Sequence, residues 1–325
     1  MPHWNQVVRK NFGNQAKARD YISFSDLGKP FIDRFYKMKG AEPTNPFDER
    51  TLRIFDAGHV MEFIVLRALT MAGLLHQKQK FVDIPATEKS LKLLGYLDST
   101  IGGFVDFDYQ EKIIRDHLTE YKLNLDDQLL EQKAIQIIRG FKESHPKGLV
   151  EEMLVEVKSI NSMAFWAHKK RNANGDFSGY EHNKLQTYGY MKATGLSHGT
   201  LLYISKDDFV LEEVPVVLGD KQLEVAFNED IRKMTEYIKN DIVPDKEPEI
   251  IFNQEKEVFE INWKVKRSSY LTKIYGYRDQ DQLEEKHHGL VLDINRALRH
   301  LRDSKVVDAD KELIKAYKLE DLKRR

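Results

Sequence analysis

The chain has 325 residues, with 51 Lys and Arg against 52 Asp and Glu, a formal net charge of −1 and no cysteine. That length can bury a substantial core, as one large domain with insertions or as two smaller ones. The lack of cysteine excludes disulfides, thiolate zinc sites and iron–sulfur clusters. No apolar run approaches the ~18 residues that a membrane span needs, so a soluble, cytoplasmic protein without membrane partners is expected.

In chain order, residues 1–20 carry four Lys and Arg and no acid before Asp20. They lack the Ser content and amphipathic pattern of a transit peptide and read as an N-terminal arm. Ser25-Asp26 predicts the cap of a helix carrying Phe31, Phe35 and Tyr36, and Pro43 to Pro46 marks a break. A second helix then opens on Arg53 to Glu62 and includes Gly58-His59. The run Leu91 to Ile101 predicts a strand with Asp98 on the face opposite Gly95 and Leu97, closed by a turn at Ile101-Gly102-Gly103. Residues 110–147 form an insertion in which Leu130, Ala134, Ile137, Ile138 and Phe141 follow helical spacing.

The stretch Leu154-Val155-Glu156-Val157-Lys158-Ser159 predicts the next strand, in which Glu156 and Lys158 share one face and Val155 and Val157 the other. Phe165 to Arg171 combines aromatic and basic side chains, and Asn172 to Gly179 reads as a mobile Gly/Asn-rich loop. A helix carrying Gln186 and Tyr190 follows, then a strand over Thr200 to Ser205. Residues 222–241 read as an amphipathic helix and Pro244 to Pro248 as a linker. Val258 to Tyr277, with Trp263, Lys264, Lys266, Arg267, Tyr270 and Tyr275, has the composition of a nucleic-acid groove. A charged helix from Gln280 to His300 and a polar tail close the chain. The expected division is a helical arm over 1–50, a core over 51–220 and a mostly helical extension over 221–325 that packs on it.

Pairing the two strands would set Asp98 beside Glu156 and Lys158. Two carboxylates with a lysine suit metal-assisted phosphoryl chemistry: Mg²⁺ prefers carboxylate oxygens and keeps several waters, so one Asp, one Glu and the Val157 carbonyl would suffice to hold it. Taken singly, an E-x-K tripeptide is usually an exposed charge pair. The series is more specific. Gly58-His59 on a helix, Gly95-Tyr96-Leu97-Asp98 on a strand, Glu156-Val157-Lys158 on the next and Gln186 to Tyr190 on the following helix arrive in an order that resembles the PD-(D/E)XK nuclease superfamily, in its RecB-type exonuclease branch. The resemblance covers roughly residues 50–206, and its specificity lies in the combination.

The resemblance implies an α/β fold with a restriction-endonuclease-like core, a central mixed sheet flanked by helices. It implies a Mg²⁺- or Mn²⁺-dependent deoxyribonuclease acting on single- or double-stranded DNA, an exonuclease in preference to a structure- or sequence-specific endonuclease. It further implies Asp98, Glu156, Lys158, Gln186 and Tyr190 as catalytic residues, and His59, Asp98, Glu156 and the Val157 carbonyl as metal ligands. Glu62, Asp106 and His182 are secondary candidates. Gly103-Phe104-Val105-Asp106 also fits Gly-x-x-Asp, but Asp98 follows an apolar strand run and precedes a turn-like segment, as the pattern requires. Phe165, Trp166, Lys169, Lys170 and Arg171 are the expected DNA contacts, by base stacking and phosphate pairing. The near-zero net charge does not oppose this, because phosphate binding needs local positive charge. With no Walker-type phosphate loop, helicase activity would come from a partner protein in recombination or repair. A catalytically silent nucleic-acid-binding module is the reading from a different class.

Overall fold

The structure, a computed structural model, describes residues 17–71, 74–104, 106–109, 149–171, 178–254 and 256–323, with scattered positions between 111 and 143. Most of the expected insertion at 110–147, residues 172–177 of the expected loop and the first 16 residues lie outside the described residues. The chain divides into two compact units, one of residues 20–29 and 49–239, the other of 17–19, 30–48 and 240–323. Among the described residues, no helix is long and apolar enough to cross a membrane.

The first unit is built on a six-stranded mixed sheet. Its strands are β1 (Tyr21–Ser23), β2 (Leu75–Ile84), β3 (Lys92–Phe104), β4 (Leu149–Ile160), β5 (His198–Ser205) and β6 (Leu211–Val217). β4 runs parallel to β5, from Leu154↔Gly199 to Ile160↔Ser205, while β5 and β6 are antiparallel. β3 continues through Gly102, where a turn was expected. Gly102 has φ +98°, and a Cβ there would lie 2.5 Å from the Glu151 carbonyl oxygen. The register shifts at this point, so the glycine makes a bulge rather than a turn.

Helices flank both faces of this sheet. On one, Val155 and Val157 pack with Ile204 and with Val65 of α2 (Glu49–Met71). On the other, Gly199, beside Leu154, faces Met191 and Thr187 of α4 (Glu181–Thr194). α1 (Phe31–Met38) belongs to the second unit. It starts after Pro30, so Ser25 and Asp26 do not cap it; they fall in a 3-10 turn, Phe24–Asp26. α3 (Ser162–Arg171) links β4 to the segment before α4. α5 (Lys221–Lys239) stays with the first unit because its buried Leu223, Phe227, Ile231 and Met234 form an apolar face, with Phe227 against Tyr188 at 5.5 Å between ring centroids. The second unit therefore takes up the chain at 240, not at 221.

That second unit holds a hairpin of β7 (Ile250–Asn253) and β8 (Val258–Ile261), two short helices, α6 (Trp263–Lys266) and α7 (Leu271–Tyr275), and the long α8 (Gln280–Arg302). The expected polar tail instead folds into α9 (Asp308–Ala316) and α10 (Leu319–Lys323). Ile314 and Leu319 are buried with Phe259, Ile294 and Leu298 of α8 and β8. Within the expected groove over 258–277, Tyr270 is buried beside Ile32 and Ile274 and Lys266 is ion-paired with Glu284, while Trp263 and Arg267 are exposed.

Candidate functional site

The site lies where two ladders part. β2 pairs with β3 on one edge, from Ile84↔Leu93 to Leu75↔Ile101. On the opposite edge β3 pairs with β1 through Lys92 to Leu94 and with β4 from Ser99 onward. Residues 95–98 face neither, so the sheet has a gap beside β3, and β4 runs on past it paired to β5 alone.

The Asp98 carboxylate fills the head of this gap. Its Oδ2 accepts the Val157 N–H at 2.8 Å, taking the place of the next ladder hydrogen bond. A strand residue's N–H and C=O point to the same edge, so the Val157 carbonyl faces the gap as well. Glu156 is buried next to it; its Oε1 accepts from the Lys158 ammonium at 2.6 Å and from Gln186 Nε2 at 2.7 Å. Gln186 also donates to the Tyr190 hydroxyl at 3.2 Å. Glu156 Oε2 is buried without any hydrogen-bond partner.

Two spacings in the sequence acquire physical reasons here. A Cβ on Gly95 would stand 3.0 Å from the Phe24 ring and 3.2 Å from the Tyr190 ring and hydroxyl, so glycine leaves the room that Tyr190 occupies. A Cβ on Gly58 would meet Ser159 Oγ at 3.1 Å, so glycine lets α2 approach the end of β4. The next turn of α2 brings Glu62 toward Asp98. Glu62 accepts from Gln79 Nε2 at 2.5 Å, and Gln79 lies opposite Asp98 in the register set by Lys78↔Ser99 and Lys80↔Leu97. His59 stands one step out, mostly exposed, with Nδ1 3.7 Å from Glu62.

Electrostatics make this an uneasy arrangement. Burial pushes the Asp98 carboxyl above the usual carboxylate range; Lys158 opposes the shift and Glu62 adds to it. Burial also pushes Glu156 up, Asp98 adds repulsion and Lys158 relieves part of it. For Lys158, burial pulls the ammonium down, but Glu156 and Asp98 outweigh it and the net shift is upward. One ammonium thus serves two carboxylates that burial disfavours, with a third, Glu62, nearby.

Among the described residues, no three His, Asp or Glu side chains are gathered as a metal cage. The donor set still suits a hard divalent cation, because Mg²⁺ is commonly held by one or two carboxylates and keeps its other ligands as water. Asp98, the orphaned oxygen of Glu156 and the Val157 carbonyl supply such a set.

The other expected residues separate. Asp106 is exposed, and its Oδ1 accepts the N–H groups of Asp108 and Tyr109 as the cap of a helical turn, so it takes no part in the site. His182 stacks on Tyr180, at 5.8 Å between centroids and 22° between planes. Phe165 is fully buried and cannot stack on a base. Trp166 is 42% exposed with its indole N–H donated to Asp208, and Lys169 is paired with Glu212 at 2.5 Å. The side chains of Lys170 and Arg171 lie outside the described residues. Sequence reasoning missed Gln79 and the buried Tyr203, which sits opposite Lys158 on β5 and accepts from Asn183 Nδ2 at 2.8 Å. A run of predominantly polar residues concealed β2, and nothing local marks Tyr203 as a neighbour of the lysine.

No family model and no curated protein matches this chain. Among solved structures it is similar to one titled "Crystal structure of SSO0001", at 13% identity and a TM-score of 0.44, over 84% of this chain and 94% of that one. A likeness so distant bears on neither the fold nor the activity.

Proposed function

We propose that this chain is a metal-dependent DNA nuclease whose first unit is a restriction-endonuclease-like core. The observation that carries the reading is the gap beside β3, where Asp98, Glu156 and Lys158 converge and one carboxylate oxygen is buried without a partner. Buried polar groups are ordinarily hydrogen-bonded, and an orphaned one beside a second carboxylate is a place where a cation would be favourable. Asp98, Glu156 and the Val157 carbonyl would hold Mg²⁺ or Mn²⁺. Such an ion stabilises charge on a phosphoryl group and lowers the pKa of a bound water.

The remaining roles belong to the chain itself. Lys158, held charged by two carboxylates, would orient the attacking water or neutralise the phosphate. Gln186 fixes one oxygen of Glu156 and leaves the other turned away, while Tyr190 backs Gln186. Exposed His59 would meet a phosphate at the mouth. Linear DNA with free ends is the substrate to try first, since the sequence motifs resemble those of end-directed enzymes; a helicase or recombination protein would be the partner.

Labelled linear and covalently closed circular DNA, incubated with purified protein in Mg²⁺ or EDTA, tests this directly. The expected result is metal-dependent degradation of linear DNA with circles surviving. Linearisation of circles would give the endonuclease form of the reading, and intact DNA under every metal condition would leave only the silent binding module.

A further inference from the structure

Gln79 of β2 has φ +48°. That is left-handed backbone, which glycine adopts freely and a residue with a Cβ adopts at a cost. The other described non-glycine residues with positive φ, Phe209, Asp241, Glu257, Ser304 and Lys318, stand in turns or just past the end of a helix; Gln79 alone lies inside a strand. Nor does the strain make a bulge. The register runs unbroken through this point, from Lys78↔Ser99 to Lys80↔Leu97, and the irregularity of the ladder falls between Leu75 and Gln77.

What the residue gains is a contact. Its Nε2 donates to Glu62 Oε1 of α2 at 2.5 Å, and Gln79 itself lies opposite Asp98. Glu62 is thereby held where its charge works against Asp98, whose ionised form burial already disfavours. A carboxylate on a helix surface, here 18% exposed, would otherwise swing outward from the like charge. Its Oε2 turns toward His59, 3.7 Å from Nδ1. The donor is a neutral amide. An ammonium or guanidinium in its place would also fix Glu62 but would cancel its charge, whereas the amide fixes the group and leaves the charge standing. Strained backbone of this kind gathers at functional sites. In the metal-free fold the held charge only repels, but toward a divalent cation in the gap the same charge attracts.

We propose that Gln79 is a positioning residue that pins the Glu62 carboxylate beside Asp98 and thereby sets the affinity of the gap for a divalent cation. This role rests on the metal site of the proposed nuclease and not on its cleavage of DNA. Gln79 acts through Glu62, not on the cation directly.

The test is Mn²⁺ binding to DNA-free protein, read from the free-ion signal in electron paramagnetic resonance, with Asp98→Asn/Glu156→Gln giving the background from other carboxylates. Gln79→Gly should bind Mn²⁺ about tenfold or more weakly than wild type, the scale on which residues behind a metal ligand act. In metal-free thermal scans it should melt no lower, because glycine takes the left-handed backbone freely. Gln79→Asn tolerates that backbone too, but its amide is one methylene short of Glu62, so it should weaken Mn²⁺ binding alike. Glu62→Gln should weaken it at least as much. Adding Gln79→Gly to Glu62→Gln should then change the affinity by less than about twofold, since a residue acting through Glu62 has nothing left to act on. Wild-type Mn²⁺ affinity in both Gln79 variants would overturn the assignment, as would additive losses in the double variant. A wild-type protein that binds no more Mn²⁺ than the background would remove the metal site and this role together. Weakened Mn²⁺ binding in the Gln79 variants of a protein that cuts no DNA would keep the role and remove the nuclease reading; DNA cleavage with a metal requirement indifferent to Gln79 would do the reverse.

Discussion

Glu156 in the first unit and Glu249 in the second are both carboxylates drawn into the protein, and the fold treats them oppositely. Around Glu249, burial pushes the carboxyl up, but Tyr277, His287 and Lys286 outweigh it and hold it below the usual range. Its Oε2 accepts from the Tyr277 hydroxyl at 2.6 Å and lies 2.5 Å from His287 Nε2. Lys286 in turn donates to the Tyr277 hydroxyl at 2.8 Å. The Glu249 side chain is also 28% exposed, so water can complete its shell. At Glu156 the supply falls short: the ammonium is shared with Asp98, Gln186 donates to the same oxygen that Lys158 does, and the other oxygen is buried with nothing. A supplied carboxylate stabilises a fold, while an undersupplied one is retained at a cost in stability and is therefore a candidate for function.

The largest expected effect separates the two clusters by activity. Glu156→Gln, Asp98→Asn and Lys158→Ala should each lower DNA cleavage in Mg²⁺ by roughly 10²–10³ or more, the scale on which a charge-stabilising group at a reacting centre acts. Glu249→Gln should cleave at the wild-type rate per folded molecule. If all three site variants cut normally, the contrast between the clusters has no bearing on catalysis.

Next in size is stability, where the clusters should respond with opposite signs. Asp98 and Glu156, raised in the folded state, contribute stability that is complete below the unfolded carboxylate pKa of about 4 and is lost as pH rises through their folded values. Glu249, lowered in the folded state, contributes stability that is complete above that unfolded value and is lost as pH falls through its folded one. In metal-free protein, Asp98→Asn should therefore raise the melting temperature at neutral pH, with a gain that shrinks toward pH ~4. Glu249→Gln should lower it at neutral pH and converge on wild type in acid. Mg²⁺ should raise the wild-type midpoint most at neutral pH and above, since a ligand stabilises whatever state it binds, and should leave an Asp98→Asn/Glu156→Gln double variant unmoved. Calorimetric scans across pH, with and without metal, give all of these signs.

Much of this site was legible in the sequence. Strand alternation separates Glu156 and Lys158 from Val155 and Val157, and the apolar run before Gly95 favours Asp98 over Asp106; the structure sets Asp98 on the Val157 N–H and uses Asp106 as a cap. The gap was not legible, because it arises from β1 and β4 sharing one edge of β3, a relation between segments about 130 residues apart that no local pattern carries. Gln79 was hidden for a related reason: it matters only through the register that puts it opposite Asp98. The aromatic and basic segment around Phe165 misled because composition cannot distinguish a ring that faces solvent from one that fills the core.

A smaller effect should come from Gly95→Ala, which places a methyl group 3.0–3.2 Å from the Phe24 and Tyr190 rings. Both rings are buried against each other, at 4.8 Å between centroids, so neither can retreat freely. Overpacking of this kind typically costs ~1–3 kcal/mol. Unlike Asp98→Asn, this variant should lose melting temperature at every pH, since no titrating group changes; thermal scans of the two side by side distinguish strain from charge.

The smallest effect expected is that of Tyr190→Phe, and it probes whether the undersupply at Glu156 is maintained by neighbours or merely tolerated. The hydroxyl accepts from Gln186 Nε2, the same nitrogen that donates to Glu156 Oε1. Removing it deletes no donor to the carboxylate and leaves the aromatic contact with Phe24 in place, so the fold should hold and melting should shift little. What is lost is the second anchor of the Gln186 amide, and with it the orientation that points Oε1 of Glu156 at Gln186 and Lys158 while Oε2 stays unpaired. A positioning residue of this kind should reduce the maximal cleavage rate by a few-fold to about tenfold, and it should raise the Mg²⁺ concentration needed for half-maximal rate, because a metal-binding oxygen would spend part of its time turned away. A drop in rate with an unchanged metal requirement would mean that Tyr190 only packs, and that the orphaned oxygen keeps its place without help from Gln186.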